Sequence, residues 1–242
     1  MTNETHEAPS QSRSVPDLPI TAYLDEPAVE PTHFWTRPIK GPRNTALKWW
    51  FTLPEDDMFH HMRSLETISS QVQREIGAWA WANFNKGALG LNPLLGVIEE
   101  LGELAHAILK GDLGIRGDAM KHELDAKDAI GDITVYLLNY LNTVSCDVGP
   151  LFASLPLVTL DRWYDCDLNV DKKHLVVQAN KWVTILADNP ARGAGELIVT
   201  LELLSRGYNT TLLAMLTSTW NIVKQRDWKK SPEDGGGHSH GA

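Results

Sequence analysis

"GVIEELGELAHAILK", residues 96–110, sets three glutamates within five positions of a stretch that is otherwise apolar. At roughly 100° per residue along a helix, Glu99, Glu100 and Glu103 fall within an arc of about 100°. His106 and Lys110 extend that face, and Val97, Leu101, Leu104, Ile108 and Leu109 lie roughly opposite. The stretch is therefore an amphipathic helix, and its acidic face has two readings: a wet surface, or half of a cation site. Like charges at these spacings repel by roughly a few tenths of a kcal/mol per pair. A plain surface helix more often alternates Glu with Lys, whereas the first lysine on this face is Lys110. Clustered carboxylates have a reason when they share a divalent cation, and Mg²⁺ takes oxygen ligands together with water and phosphate.

The next helical stretch supplies a second acidic stripe. Asp125, Asp128, Asp132 and Asn139 recur at steps of three, four and seven along residues 119–144. Asp132 stands at the edge of "ITVYLLNYL", an apolar run that reads as buried. Aspartate is a poor residue for a helix interior, and a buried carboxylate needs partners. Two antiparallel helices joined by the short "GDLGIRGD" loop, residues 111–118, would bring the two stripes face to face. This second stripe also has a bland reading, as a face turned to water.

The rest of the chain agrees with a helical protein. It has 242 residues, 43% of them hydrophobic and 22% charged, which is the globular class. A net charge of −9 argues against wrapping duplex nucleic acid. Two cysteines, Cys146 and Cys166, make neither a disulfide framework nor a CxxC pair, so a reducing cytoplasm is expected. No apolar run reaches membrane-spanning length, and the polar start "MTNETHEAPSQSRS" lacks the pattern of a signal peptide.

Residues 1–62 read as an irregular, partly disordered extension, broken by prolines and closing on the aromatic "ALKWWFTLPEDD". Residues 63–230 read as an all-α domain, and 231–242 as a flexible tail. Apolar residues at three- and four-residue steps mark a first helix near 65–86, stopped by Lys86-Gly87. Asn92-Pro93 opens the second helix and Gly111 closes it. Further helices are expected near 119–144, 173–187, 194–205 and 210–230, with 145–172 irregular.

"PLLGVIEELGELAHAILK" followed by "DAIGDITVYLLNYL" resembles the MazG-like all-α nucleoside triphosphate pyrophosphohydrolases, whose signature is EExxE, a spacer, then ExxD. Glu99, Glu100 and Glu103 match the first half, and Asp132 matches the final aspartate. The glutamate of ExxD is missing, because that position is Ala129, and the nearest carboxylate is Asp128. The likeness covers about 66–144, and more loosely 210–230.

The resemblance implies a helical bundle that hydrolyses NTP or dNTP to the monophosphate and pyrophosphate, controlling nucleotide pools. It implies Mg²⁺, with Mn²⁺ as a substitute, held by Glu100, Glu103, Asp128 and Asp132. Glu99, Glu100 and Glu103 would form the catalytic group, with Glu99 orienting or deprotonating the attacking water. Asn139 falls where relatives carry a substrate-contacting asparagine. Trp79, Asn83 and Phe84 offer a base pocket, though for Trp79 and Phe84 core packing is the favoured reading. Lys224 and Arg226 offer phosphate contacts or a solvated basic helix end. A homodimer or homotetramer is expected, both by resemblance and because "ITVYLLNYL" exceeds what one short bundle covers. The rival reading is a non-catalytic helical binding protein that kept the fold, and a third is a pyrophosphatase acting on another nucleotide derivative.

Overall fold

Most helix starts in this protein coincide with a side chain that can hold the first turn. Asp118 accepts the Lys121 N–H at 2.7 Å, Asp171 that of Lys173 at 3.0 Å, Asn189 that of Arg192 at 3.1 Å, and Thr211 that of Ala214 at 3.1 Å. Each satisfies an amide that the helix itself leaves open. A computed structural model describes residues 55–155 and 171–232. Among them every long element is a helix and none is a strand: α1 (Glu55–Phe84), α2 (Asn92–Leu113), α3 (Ala119–Thr143), α4 (Lys172–Leu186), α5 (Pro190–Arg206) and α6 (Leu212–Val223). A short 3₁₀ turn, Asn85–Ala88, links α1 to α2, and residues 149–155 are also helical. The fold is all-α. No described helix is long and apolar enough to cross a membrane.

Several boundaries differ from the sequence expectation. The first helix, from Glu55, reaches into the stretch expected to be irregular. It ends at Asn85, which takes a left-handed φ of 50°, before Gly87 is reached. Helix α2 runs past Gly111 to Leu113 and ends on Gly114, whose φ of 61° favours glycine. Asn92 does not cap it; its side-chain amide donates instead to the Gly87 carbonyl at 3.0 Å. Helix α5 begins four residues earlier than expected, because Asn189-Pro190 caps it. Helix α6 is shorter than expected, ending at Val223. Beyond it, Asp227 accepts the Lys230 N–H and Trp228 N–H donates to Asn83, so the chain folds back on α1. Helical residues 149–155 correct the expectation that 145–172 is irregular throughout. The rest of the N-terminal extension with its aromatic cluster, Cys166 and the end of the tail lie outside the described residues.

Helices α2 and α3 pair closely. A Cβ at Gly96 would collide with the Tyr136 ring, and one at Gly111 would come within 3.3 Å of the His122 Cβ. Residue numbers rise on one helix as they fall on the other, so the two run antiparallel, in a register that sets Glu100 opposite Asp132. The face of α3 turned from the acids is core: Ile130, Ile133, Leu137, Leu138 and Leu141 are fully buried with Ile76, Leu104 and Leu201. Removing one such side chain, as in Leu104→Ala, costs about 2–5 kcal/mol. Burial of "ITVYLLNYL" within the chain removes the apolar surplus from which the sequence alone implied a second copy.

Candidate metal and nucleotide site

The antiparallel pair gathers the two acidic stripes on one side. Glu99, Glu103 and Asp128 are exposed, whereas Glu100 and Asp132 are half-buried. Burial pushes the Glu100 carboxyl up to about 8, with the charges of Asp132, Glu103, Glu99 and Asp128 adding to it. Burial likewise raises Asp132 to about 7; Asp128 and Glu103 add to this, and Arg226 opposes it. The two carboxyls face each other across the helix pair and titrate as a coupled pair. Among the described residues neither carboxylate takes part in an ion pair or a side-chain hydrogen bond. Asp125, at the far end of the stripe, is exposed and lies 3.8 Å from Lys121; it does not act on Glu100.

Ala129 is 3% exposed and belongs to the core, while Asp128 faces the carboxylates and raises both Glu100 and Asp132. The carboxylate that this turn of α3 brings to the pair is therefore that of Asp128.

Glu100 and Asp132 line a cavity of about 250 Å³ between α1, α2, α3 and the chain after α6. Its other walls include Trp79, Phe84 and Trp228, with Asn139 and Arg226 between. The aromatics form one cluster. Trp79 packs edge-on to Phe84 at 5.7 Å and to Trp220 at 5.9 Å, and Phe84 is tilted against Trp228 at 6.3 Å. The Trp79 indole N–H donates to the Arg226 carbonyl at 3.1 Å, anchoring the segment that carries the guanidinium. Trp79 and Phe84 thus serve packing and cavity wall together.

Two expected substrate contacts are placed elsewhere. Asn83 donates to the Trp79 carbonyl at 3.0 Å and accepts the Trp228 N–H at 2.9 Å, so its amide holds the wall and does not line the cavity. Lys224 is exposed, lies outside the lining and sits in the field of Glu75. Asn139 and Arg226 do line the cavity. Tyr136 and Trp228 line it too and were not singled out from sequence. Tyr136 was legible, lying four residues from Asp132 and three from Asn139 on one helix face. Trp228 was not, because it reaches the site only after α6 ends and the chain turns back.

Among the described residues no three His, Cys, Asp or Glu side chains close on a point in the manner of a finished metal cage. The donor set nevertheless suits a hard divalent cation: oxygen ligands only, two of them drawn out of water, and a single opposing positive charge on Asp132. Glu99, Glu103 and Asp128 are exposed and have rotamers with which to close. Comparison with protein-family models, with curated proteins and with solved structures gave no match.

Proposed function

We propose that this protein is a Mg²⁺-dependent nucleotide pyrophosphohydrolase that cleaves an NTP or dNTP to the monophosphate and pyrophosphate, in nucleotide-pool control. The observation that carries this reading is the pair Glu100 and Asp132: two carboxylates from different helices, without a bonded partner, lining a cavity that also has aromatic walls. Such an arrangement is expensive alone and natural around a cation. Glu100, Glu103, Asp128 and Asp132 would hold Mg²⁺, or Mn²⁺ in its place. Bound there, the ion supplies neutralisation of the phosphates and a more acidic water.

The chain's own residues then divide the work. Trp79, Phe84 and Trp228 offer flat apolar surface to a base. The Asn139 amide offers both donors and an acceptor to a base or sugar edge. At about 250 Å³ the cavity is small for a whole nucleotide, so base and sugar enter while the phosphates lie along the open acidic face. The Arg226 guanidinium, close enough to act on Asp132, is available to a phosphate oxygen. Glu99 at the exposed edge accepts the proton of a water as its oxygen adds to the α-phosphorus. The bridging bond to the β-phosphate breaks, and pyrophosphate leaves.

The experiment is a panel of NTPs and dNTPs with Mg²⁺, scored for monophosphate and pyrophosphate; absence of turnover on every member would overturn the reading. Ala129 favours one rival, a binding protein without hydrolysis. That rival expects Glu100→Gln and Asp132→Asn to leave function intact. Thermal stabilisation by Mg²⁺ that disappears in both variants would exclude it.

A further inference from the structure

A second cavity, of about 300 Å³, lies beside the turn that joins α2 to α3. The end of α2, the start of α3, the start of α4 and Tyr208 line it. It shares no lining residue with the cavity at Glu100 and Asp132. Gly111 on its wall stands eleven residues beyond Glu100, about 16 Å along the helix.

Two groups on this wall are unanswered. The first is His122, which is 6% exposed. Its Nε2 lies 2.9 Å from the Ile115 carbonyl oxygen, which can only accept, so Nε2 carries the proton. Nδ1 of the neutral ring is then a bare acceptor, buried and without a partner among the described residues. The loop is shaped around this ring: Gly117 takes a φ of 142°, and a Cβ there would come within 3.2 Å of Nε2. Holding the loop accounts for Nε2 and leaves Nδ1 unexplained. The second group is Lys172, in the first turn of α4. Its ammonium sits 3.6 Å from the centre of the Tyr208 ring and joins no ion pair among the described residues. Burial pushes that ammonium down, Glu123 opposes the shift and Lys127 adds to it. The acids around the cavity are already engaged. Asp112 accepts from the Lys173 ammonium at 3.1 Å, Asp171 from the Lys173 N–H at 3.0 Å, and Glu123 from Lys127 at 2.5 Å.

We propose that this cavity binds a small hydroxylated anion, a phosphate ester or a carboxylate, whose anionic oxygens meet Lys172 and whose hydroxyl donates to His122 Nδ1. A cation would face the Lys172 charge, and an apolar ligand would leave Nδ1 as unpaired as before. Ala107, Ile108 and Ala119 offer apolar wall to the carbon skeleton of such a ligand. At about 300 Å³ the cavity suits a molecule the size of a hydroxy acid or a small polyol phosphate, not a whole nucleotide. The site stands whether or not the proposed hydrolysis does, because it uses none of the same residues.

Calorimetric titration of the full chain in EDTA, which keeps metal from the acidic face, tests the proposal. Glycerol phosphate is the ester probe, malate the carboxylate probe and glycerol the uncharged control. At least one of the two anions should bind, one per chain, and the anion that binds identifies the class. Glycerol should not bind, and Asp132→Asn should leave anion binding unchanged. Lys172→Met should weaken it about tenfold, and so should His122→Gln, whose amide keeps a donor for Ile115 but has no acceptor in the place of Nδ1. Failure of both anions to bind at millimolar concentration overturns the proposal. So does equal binding of glycerol, loss of binding in Asp132→Asn, or a folded variant of either residue that binds at full strength. Should His122→Gln not fold, the wild-type Nδ1 resonance in nitrogen NMR decides: it should move when the anion is added, and a resonance that stays in place overturns the His122 contact.

Discussion

Two glutamates in this protein, one buried and one half-buried, sit in opposite circumstances. Glu202 on α5 is 4% exposed and fully answered: the Arg206 guanidinium donates to it at 2.6 Å and the Leu212 N–H at 2.7 Å. It joins α5 to the first turn of α6, and its raised carboxyl reflects burial, with Arg206 and the Leu212 amide pulling the other way. Glu100 on α2 is less buried, but every charge acting on it is negative. Burial alone does not separate a structural acid from a functional one. What separates them is whether the fold provides the counter-charge, as it does at Glu202 and does not at Glu100.

The widest gap between the two regions should open in catalysis. Asp132→Asn is expected to lower turnover by about 10³-fold, roughly 4 kcal/mol of barrier, while leaving the melting temperature unchanged or higher, because it relieves repulsion. Glu100→Gln should behave in the same way. Assays of phosphate-ester products beside calorimetry check both; loss of activity together with loss of folding would erase the contrast.

Stability should respond the other way round. Glu202→Ala strips the exposed Arg206 and the buried Leu212 amide of their acceptor, and a buried donor left unpaired costs about 1–3 kcal/mol. Urea denaturation should show that loss with catalysis per folded molecule intact. An unchanged midpoint would mean that Glu202 is as idle as a surface acid.

How far this was legible beforehand differs between the two regions for a physical reason. Helix periodicity announced α2 and α3, and their acidic stripes followed from spacing alone. The acids of the site lie within about thirty positions of one another, on a pair whose short loop fixes the direction. Glu202 was invisible, because in "ELIVTLELLSR" it reads as one acid on an amphipathic helix. Only the turn from α5 to α6 buries it. The aromatic wall was half legible: Trp79 and Phe84 share a helix end, but Trp228 arrives by a contact spanning 145 positions. Lys224 and Asn83 do not line the cavity, since the end of α6 decides what each faces.

Within the acidic stripe the effects should grade with position. Asp128→Ala is expected to cut turnover by about 10–100-fold, as losses around a metal site do, because Asp128 acts on both Glu100 and Asp132. Asp125→Ala should change turnover less than about twofold, as Asp125 lies by Lys121 and away from Glu100. Reversal of that order would shift the register of α3 against α2.

The smallest expected effect is a slope. Asp132 and Glu100 ionise in the folded chain at about 7 and about 8, well above the ordinary carboxylate range. The folded state therefore holds protons that the unfolded chain has released, and ∂ΔG/∂pH is negative between those limits. Their contribution to stability is complete below about pH 4, where both states are protonated, and is lost as pH rises through 7 and 8. Glu202 is raised too and slopes in the same direction, so pH alone does not tell the regions apart. Mg²⁺ does. A cation that binds the ionised pair offsets the loss at Glu100 and Asp132 and leaves that of Glu202 untouched. Melting temperature followed from pH 5 to 9 should fall without divalent cation, by less than the full shifts of the two carboxyls would give because both keep contact with water, and should fall by less again with Mg²⁺ present. In the double variant Glu100→Gln with Asp132→Asn the two curves should coincide. A Mg²⁺ effect that survives the double variant would move the cation elsewhere, and the comparison between the two glutamates would lose its chemical basis.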